Sequence, residues 1–493
     1  MVKKLTSILS FITVLVTVLL IIFQLVMIYN GVYFLGDTVS YLEISSWGKL
    51  LTTFILHNSL WPPLFTLWVN LLDLLFSPPT FALISTLIFF TSSLFFTILL
   101  FKEIGLPKKV NLVMSTIVLL SGPLAILMSS FMSEPLLVSL TLVASFFTIK
   151  FWKTSQEKWL IGWLIASALV PLSRYLGVSF VIWSSLILLF KVLHDWKKNK
   201  QVTYSRLLVL LSLMVAWVPL AFFLLKNKVA EGLFLGVRDA NTIYSLSELF
   251  FQYLTAVWSD LGYFLLVVFV VGFATQLIVK MHHHFSLLFL SGNAIFYTLF
   301  LLIGQIKYYV DPHLPSRYIS ISYPFIIMTF FLLGSLLRRL LDKQNKLSSN
   351  FILYELFFTQ LALIFILLFM LFTSFNRFIY EQKGPTSAVL GVYNTHDLKQ
   401  ICASNPSLLI HPHSRNWILK STLFLCQEKL QVISNNTVIA KDQKILSGYQ
   451  LDNENLEEYS YFDADGYDFY TYMVNGETFL DVEDVFSKRT TYE

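Results

Sequence analysis

The 493-residue sequence predicts an all-α polytopic membrane domain of about 11 transmembrane helices, followed by a small α/β extracytoplasmic C-terminal domain. Three observations carry this expectation. Hydrophobic residues make up 56% of the chain and charged residues only 13%, against roughly 25% charged in an average soluble domain. Apolar runs of about 20 residues, rich in Leu, Ile and the 46 Phe, have the length needed to cross a hydrocarbon core of about 30 Å. Finally, the net charge of +5 averages two unlike regions: residues 1–373 carry 25 Lys+Arg and 14 Asp+Glu, net +11, whereas 374–493 carry 10 and 16, net −6. A basic membrane part and an acidic tail imply two domains, 1–375 and 376–493, and no nucleic-acid partner.

The first apolar stretch, Leu5 to Ile28, follows Lys3-Lys4. It is too long for a signal-peptide core and lacks a small-residue cleavage site, so it reads as a retained span. The remaining spans fall at about 80–101, 110–128, 135–151, 159–173, 176–193, 207–225, 261–280, 285–304, 317–337 and 350–373. With the N-terminus in the cytoplasm, the inner segments hold 18 Lys+Arg and the outer loops 7, the bias expected of a multi-pass plasma-membrane protein. An odd number of spans places the tail outside, in an oxidising compartment where Cys402 and Cys426 are allowed to pair; spacing alone leaves pairing open. Short apolar runs at 407–411, 430–434, 437–440 and 467–474, with a helical stretch near 396–403, give the tail its α/β reading.

On this topology the polar residues gather on the outer face. The first outer loop, about 29–79, holds Asp37 within Gly36-Asp37-Thr38-Val39-Ser40-Tyr41, ahead of Trp61-Pro62-Pro63-Leu64-Phe65. The later turns supply Ser133-Glu134-Pro135 and Ser173-Arg174-Tyr175-Leu176-Gly177. A loop at about 226–260 contains Lys226, Lys228, Arg238, Asp239 and Asp260. The last segment is Lys307-Tyr308-Tyr309 through Ser316-Arg317-Tyr318. Charge near a bilayer is costly, about 2.5–3.5 kcal/mol at the centre, so such residues face a cavity or one another. Carboxylates and cations converging there make a cleft with basic walls, suited to a phosphate-bearing lipid because Arg binds phosphate through a bidentate fork.

These motifs, in this order, resemble the GT-C superfamily of polytopic glycosyltransferases, closest to bacterial members related to protein O-mannosyltransferases and lipid A aminoarabinose transferases. The likeness covers roughly 1–375. It implies a polyprenyl-phosphate-linked sugar as donor, an acceptor lipid, glycan or protein, and chemistry on the side away from the cytoplasm. Asp37 matches the first-loop aspartate and would be the general base or orient the acceptor hydroxyl. Glu134 would assist it or hold a metal. Arg174 and Arg317 would clamp the donor phosphate, with Tyr41, Tyr175, Lys307, Tyr308 and Tyr318 in the same pocket. Asp37 has no adjacent acid, since Glu43 lies six residues on, so the paired-carboxylate metal motif is absent and dependence on a divalent metal stays open.

Each residue also has a structural reading. Asp37 would end a helix. Glu134-Pro135 would start one, since acids and Pro suit the first turn. Arg174 would snorkel as an anchor, and Arg317 would be a stray charge outside. His282-His283-His284 sits beside Lys280 on the inner side and reads as a loop. Asp463-Ala464-Asp465-Gly466-Tyr467-Asp468 lacks EF-hand spacing and reads as an acidic turn. Two alternatives remain: a surface-polysaccharide polymerase or ligase, and a transporter or flippase of lipid-linked sugars. The latter calls for midplane broken helices and an internal repeat, and no clear repeat is present.

Overall fold

The structure, a computed structural model, describes residues 2–30, 62–76, 78–199, 204–231, 234, 245–278, 284–307, 316–342 and 349–381; in the tail it describes the segments 409–410, 431–432, 438–439, 444–447, 456–464, 467–475 and 478–479. Its helices are α1 (Val2–Asn30), α2 (Pro63–Asp73), α3 (Pro78–Ile104), α4 (Lys108–Leu119), α5 (Pro123–Leu127), α6 (Ser133–Thr154), α7 (Glu157–Ser173) and α8 (Gly177–Asn199). They continue as α9 (Tyr204–Val215), α10 (Val218–Glu231), α11 (Leu246–Ile278), α12 (His284–Lys307), α13 (Ser316–Ser320), α14 (Tyr323–Asp342) and α15 (Ser349–Glu381).

Among the described residues nine segments are long and apolar enough to cross a membrane, so the chain is an integral multi-pass membrane protein. The other two expected spans are helical but short: α4 has 12 residues and α7 has 17. In the tail the described elements are strands, the largest group being an antiparallel sheet of Lys444–Ser447, Tyr467–Val474 and Leu456–Ala464 in that order. The helical stretch expected near 396–403 lies outside the described residues, as do Cys402 and Cys426.

Four element boundaries differ from expectation, each for a local reason. The span expected at 110–128 breaks into α4 and α5, because Gly122 turns through φ +51° and Pro123 starts a new helix. The span at 207–225 breaks after Val215, where Pro219 has no N–H to offer the Val215 carbonyl. The one expected at 317 starts instead at Tyr323: Pro324 cannot donate to the preceding turn, so Ser316–Ser320 forms a separate helix of five residues. The long loop of 226–260 shortens from both sides. Helix α10 runs on to Glu231, and α11 begins at Leu246 under a capping box, Ser245 N–H donating to Glu248 at 2.7 Å and Glu248 N–H to the Ser245 hydroxyl at 3.3 Å. Asp260 is therefore inside a helix.

Helix α6 is the centre of the bundle: 72% of an 18-residue apolar stretch of it is buried, against 22% of such a stretch in Leu207–Val229. Small and hydroxylated residues suit it to this place. Ser139, Ala144 and Ser145 let neighbours approach, and Thr141 and Thr148 return their hydroxyls to the Val138 and Ala144 carbonyls at 2.9 and 2.8 Å. At the lysine-rich end Lys150 reaches Glu103 of α3 at 2.8 Å. Helices α1 and α15 pair through Thr13 and Gln360 at 2.9 Å.

Helices α11 and α14 cross at a reciprocal pair of glycines. A methyl group on Gly272 would run into the Phe331 carbonyl, and one on Gly334 into the Phe269 carbonyl. Ser335 donates to Gln276 at 2.6 Å beside them. Between helices in lipid such backbone approach supplies much of the attraction. Substituting Gly272→Leu or Gly334→Leu must separate the helices, and an overpacking cost of about 1–3 kcal/mol is expected. Thermal unfolding of the purified chain in detergent should show a lower midpoint for either variant, with Gly304→Ala, where nothing lies within 4 Å, as the unaffected control.

Candidate functional site

At the end of α6 away from its lysines, Met132 is extended and Ser133-Glu134-Pro135 forms the first turn. An acid there is favoured by the helix dipole, yet Glu134 is 0% exposed, so the dipole alone does not account for it. Its Oε1 forms an ion pair with Nη1 of Arg174, and its Oε2 accepts from the Ser133 hydroxyl at 3.3 Å. Arg174 is the C-cap of α7. Its extended backbone, φ −156° and ψ 143°, ends the helix, and the residue is 7% exposed.

The third contributor is the short helix α13. Arg174 Nη2 lies 3.5 Å from the Tyr318 hydroxyl and its guanidinium 5.0 Å from the Tyr318 ring centre. Arg317 donates to the same hydroxyl at 3.0 Å, with its guanidinium 4.7 Å from the same ring. Two guanidiniums thus converge on one phenol, one of them neutralised by Glu134. The Tyr297 hydroxyl donates to the Tyr318 carbonyl at 2.9 Å, fixing that segment to α12.

The structure therefore brings Glu134, Arg174, Arg317 and Tyr318 together from three separate parts of the chain. Tyr175 follows Arg174 and stacks on Phe223 of α10, ring centres 6.5 Å apart, while Lys226 Nζ lies 5.5 Å from the Phe223 centre. Lys307 ends α12, its side chain outside what is described; Asp37, Tyr41 and Tyr308 lie outside the described residues altogether. Among the described residues no three His, Cys, Asp or Glu side chains converge as metal ligands.

A second acid lies at this end, one that the sequence pattern leaves at the edge of a loop. Asp260 of α11 accepts a hydrogen bond from the Tyr323 hydroxyl at the start of α14, and its carbonyl lies under the Gly122 turn, 3.4 Å from where a Cβ would sit. The signal that reveals it is the capping box at Ser245, which moves the helix start 15 residues ahead of 261 and leaves Asp260 inside an apolar helix.

The comparisons with known proteins bear on the fold. No family model matches the sequence, and no curated protein sequence matches it. Among solved structures, ArnT from Cupriavidus metallidurans bound to undecaprenyl phosphate superposes with a TM-score of 0.57, over 93% of this chain and 97% of that one, at 12% identity. The chain therefore shares the fold of that protein. A looser match, TM-score 0.41 at 12% identity, is to the oligosaccharyltransferase of Archaeoglobus fulgidus in its apo form, over 86% of this chain and 64% of that one. On this frame the ion pair joins the first turn of α6 to the C-cap of α7.

Burying either ion alone costs several kcal/mol, and removing one partner of such a pair typically costs about 3–5 kcal/mol. Glu134→Ala and Arg174→Ala should each destabilise the chain strongly, and the double variant by less than the sum. Unfolding midpoints of the three variants in detergent measure this; strict additivity would show that the two side chains do not act as a pair.

Proposed function

We propose that the protein transfers a sugar from a polyprenyl-phosphate-linked donor to a lipid, glycan or protein acceptor at the extracytoplasmic face of the membrane, inverting the anomeric centre. The observation that carries this reading is the convergence of Arg174 and Arg317 on Tyr318 at the bundle end opposite Lys150 and Glu103. Its fold is that of ArnT, a protein seen with undecaprenyl phosphate bound. In this reading the lysine-rich end faces the cytoplasm, residues 1–375 are the transferase domain, and 376–493 form an extracytoplasmic α/β domain beside the acceptor route.

The chemistry needs three things. The acceptor hydroxyl must lose its proton, C1 must be aligned with it, and charge must be stabilised on the departing phosphate. Asp37 takes the proton, a contribution of typically about 10²–10⁴-fold. As the acceptor oxygen bonds to C1, the C1–O bond to phosphate breaks and its electron pair leaves on polyprenyl phosphate. Arg317 and Arg174 face that oxygen, and preorganised cations aimed at developing charge contribute more than any other single effect in many enzyme sites. Glu134 holds Arg174 in place, and Tyr318 spaces the two guanidiniums. Direct displacement inverts C1, so a product that keeps the donor's configuration would refute this step.

Deleting the gene and profiling surface glycans and lipids by mass spectrometry should reveal loss of one hexose- or pentose-sized unit. Wild type should restore it and Asp37→Asn at matched expression should not. Full rescue by Asp37→Asn would remove Asp37 as the base and favour transport of the lipid-linked sugar over its transfer.

A further inference from the structure

We infer that Asp260, acting through Tyr323, is a positioning residue that holds the segment carrying Arg317 and Tyr318, so that donor-phosphate binding depends on a carboxylate that does not itself touch the donor. This rests on the reading of Arg317 as a phosphate ligand.

Helix α11 holds two acids, Glu248 and Asp260, in 33 otherwise uncharged residues. Glu248 is accounted for by its cap with Ser245. Asp260 has no such role, and a carboxylate within an apolar helix is kept where it has a partner and a function. Its partner is the Tyr323 hydroxyl, which donates to Oδ2. Its surroundings are shaped to it: the Gly122 turn, in a positive-φ conformation that L side chains rarely adopt, lies against its carbonyl and Cβ.

What Tyr323 holds is the segment 316–323. Helix α13 is five residues long, too short to hold its own conformation, since the first turn of any helix is costly. Three tyrosines pin it. Tyr297 donates to the Tyr318 carbonyl at 2.9 Å. The Tyr253 and Ser322 hydroxyls are 2.9 Å apart, with Thr298 donating to Tyr253 at 2.8 Å. Tyr323 donates to Asp260. Of these three, only the last has an ionisable acceptor, and charge-assisted bonds are roughly twice as strong as neutral ones. Releasing it frees the C-terminal end of the segment, and a displacement of about 1 Å is enough to spoil a positioned group.

The test is binding of undecaprenyl phosphate to the full purified chain in nanodiscs, as a double-mutant cycle. Arg317→Ala should weaken binding. Tyr323→Phe and Asp260→Ala should each weaken it by about fivefold or more, and Asp260→Asn, which keeps an acceptor for the Tyr323 hydroxyl but loses the charge, should weaken it by less than Asp260→Ala. On the Arg317→Ala background Tyr323→Phe should add less than about twofold, because the group it positions is gone. A general loss of stability would instead give additive losses, and that result overturns the inference, as does wild-type binding by Tyr323→Phe. If Asp260→Ala does not yield a monodisperse chain, the milder Tyr323→Phe decides. Wild-type binding by Arg317→Ala would overturn the phosphate-clamp reading instead, an outcome visible without any change at Tyr323 or Asp260.

Discussion

A carboxylate with no exposed surface and a guanidinium almost as buried meet at one end of this helical bundle, and the arrangement of that end follows from their need for each other. Glu134 and Arg174 would each be costly alone in a membrane protein interior. Paired, they fasten the first turn of α6 to the C-cap of its neighbour α7. Arg174 then has donors left over, and it places one against Tyr318. That contact draws in α13 and with it Arg317. The polar site is thus built outward from one buried pair.

Breaks in helices put these groups where they are. Gly122-Pro123 interrupts the backbone between α4 and α5, and Pro324 separates α13 from α14. In lipid an interrupted backbone is tolerated only where protein covers it. Residues 119–134 are buried or partly buried throughout, and their turns are closed by local bonds such as Leu124 N–H to Ser121 and Met128 N–H to Leu124. Gln24 of α1 adds a side-chain amide to the Ala125 carbonyl at 3.1 Å. The frame is closely packed at the α11–α14 glycine crossing and irregular beside the ion pair.

Much of this is legible in the sequence. Each of the eleven apolar runs is helical, three of them as two helices. The motifs around Glu134, Arg174 and Arg317 point to residues that the fold brings together, because ions in an apolar chain have few stable positions other than beside one another. Helix boundaries are less legible. Hydropathy does not register that Pro219 and Pro324 lack donors, or that Ser245 and Glu248 make a cap, so the apolar pattern leaves Asp260 in a loop. The tyrosine pins are illegible for a different reason: Tyr253, Tyr297 and Tyr323 look like any aromatic residue in a span, and only the crossing of α11, α12 and α14 shows which hydroxyls meet α13 and the start of α14.

The measurement that bears most directly on the central claim is photocrosslinking of the membrane-embedded chain with an undecaprenyl phosphate carrying a diazirine on the isoprene unit next to the phosphate, followed by peptide mapping. The account predicts adducts in the peptides around Glu134, Arg174 and Arg317, competed by unlabelled undecaprenyl phosphate. Adducts spread over the lipid-facing surfaces, or concentrated at the Lys150 end, would contradict it.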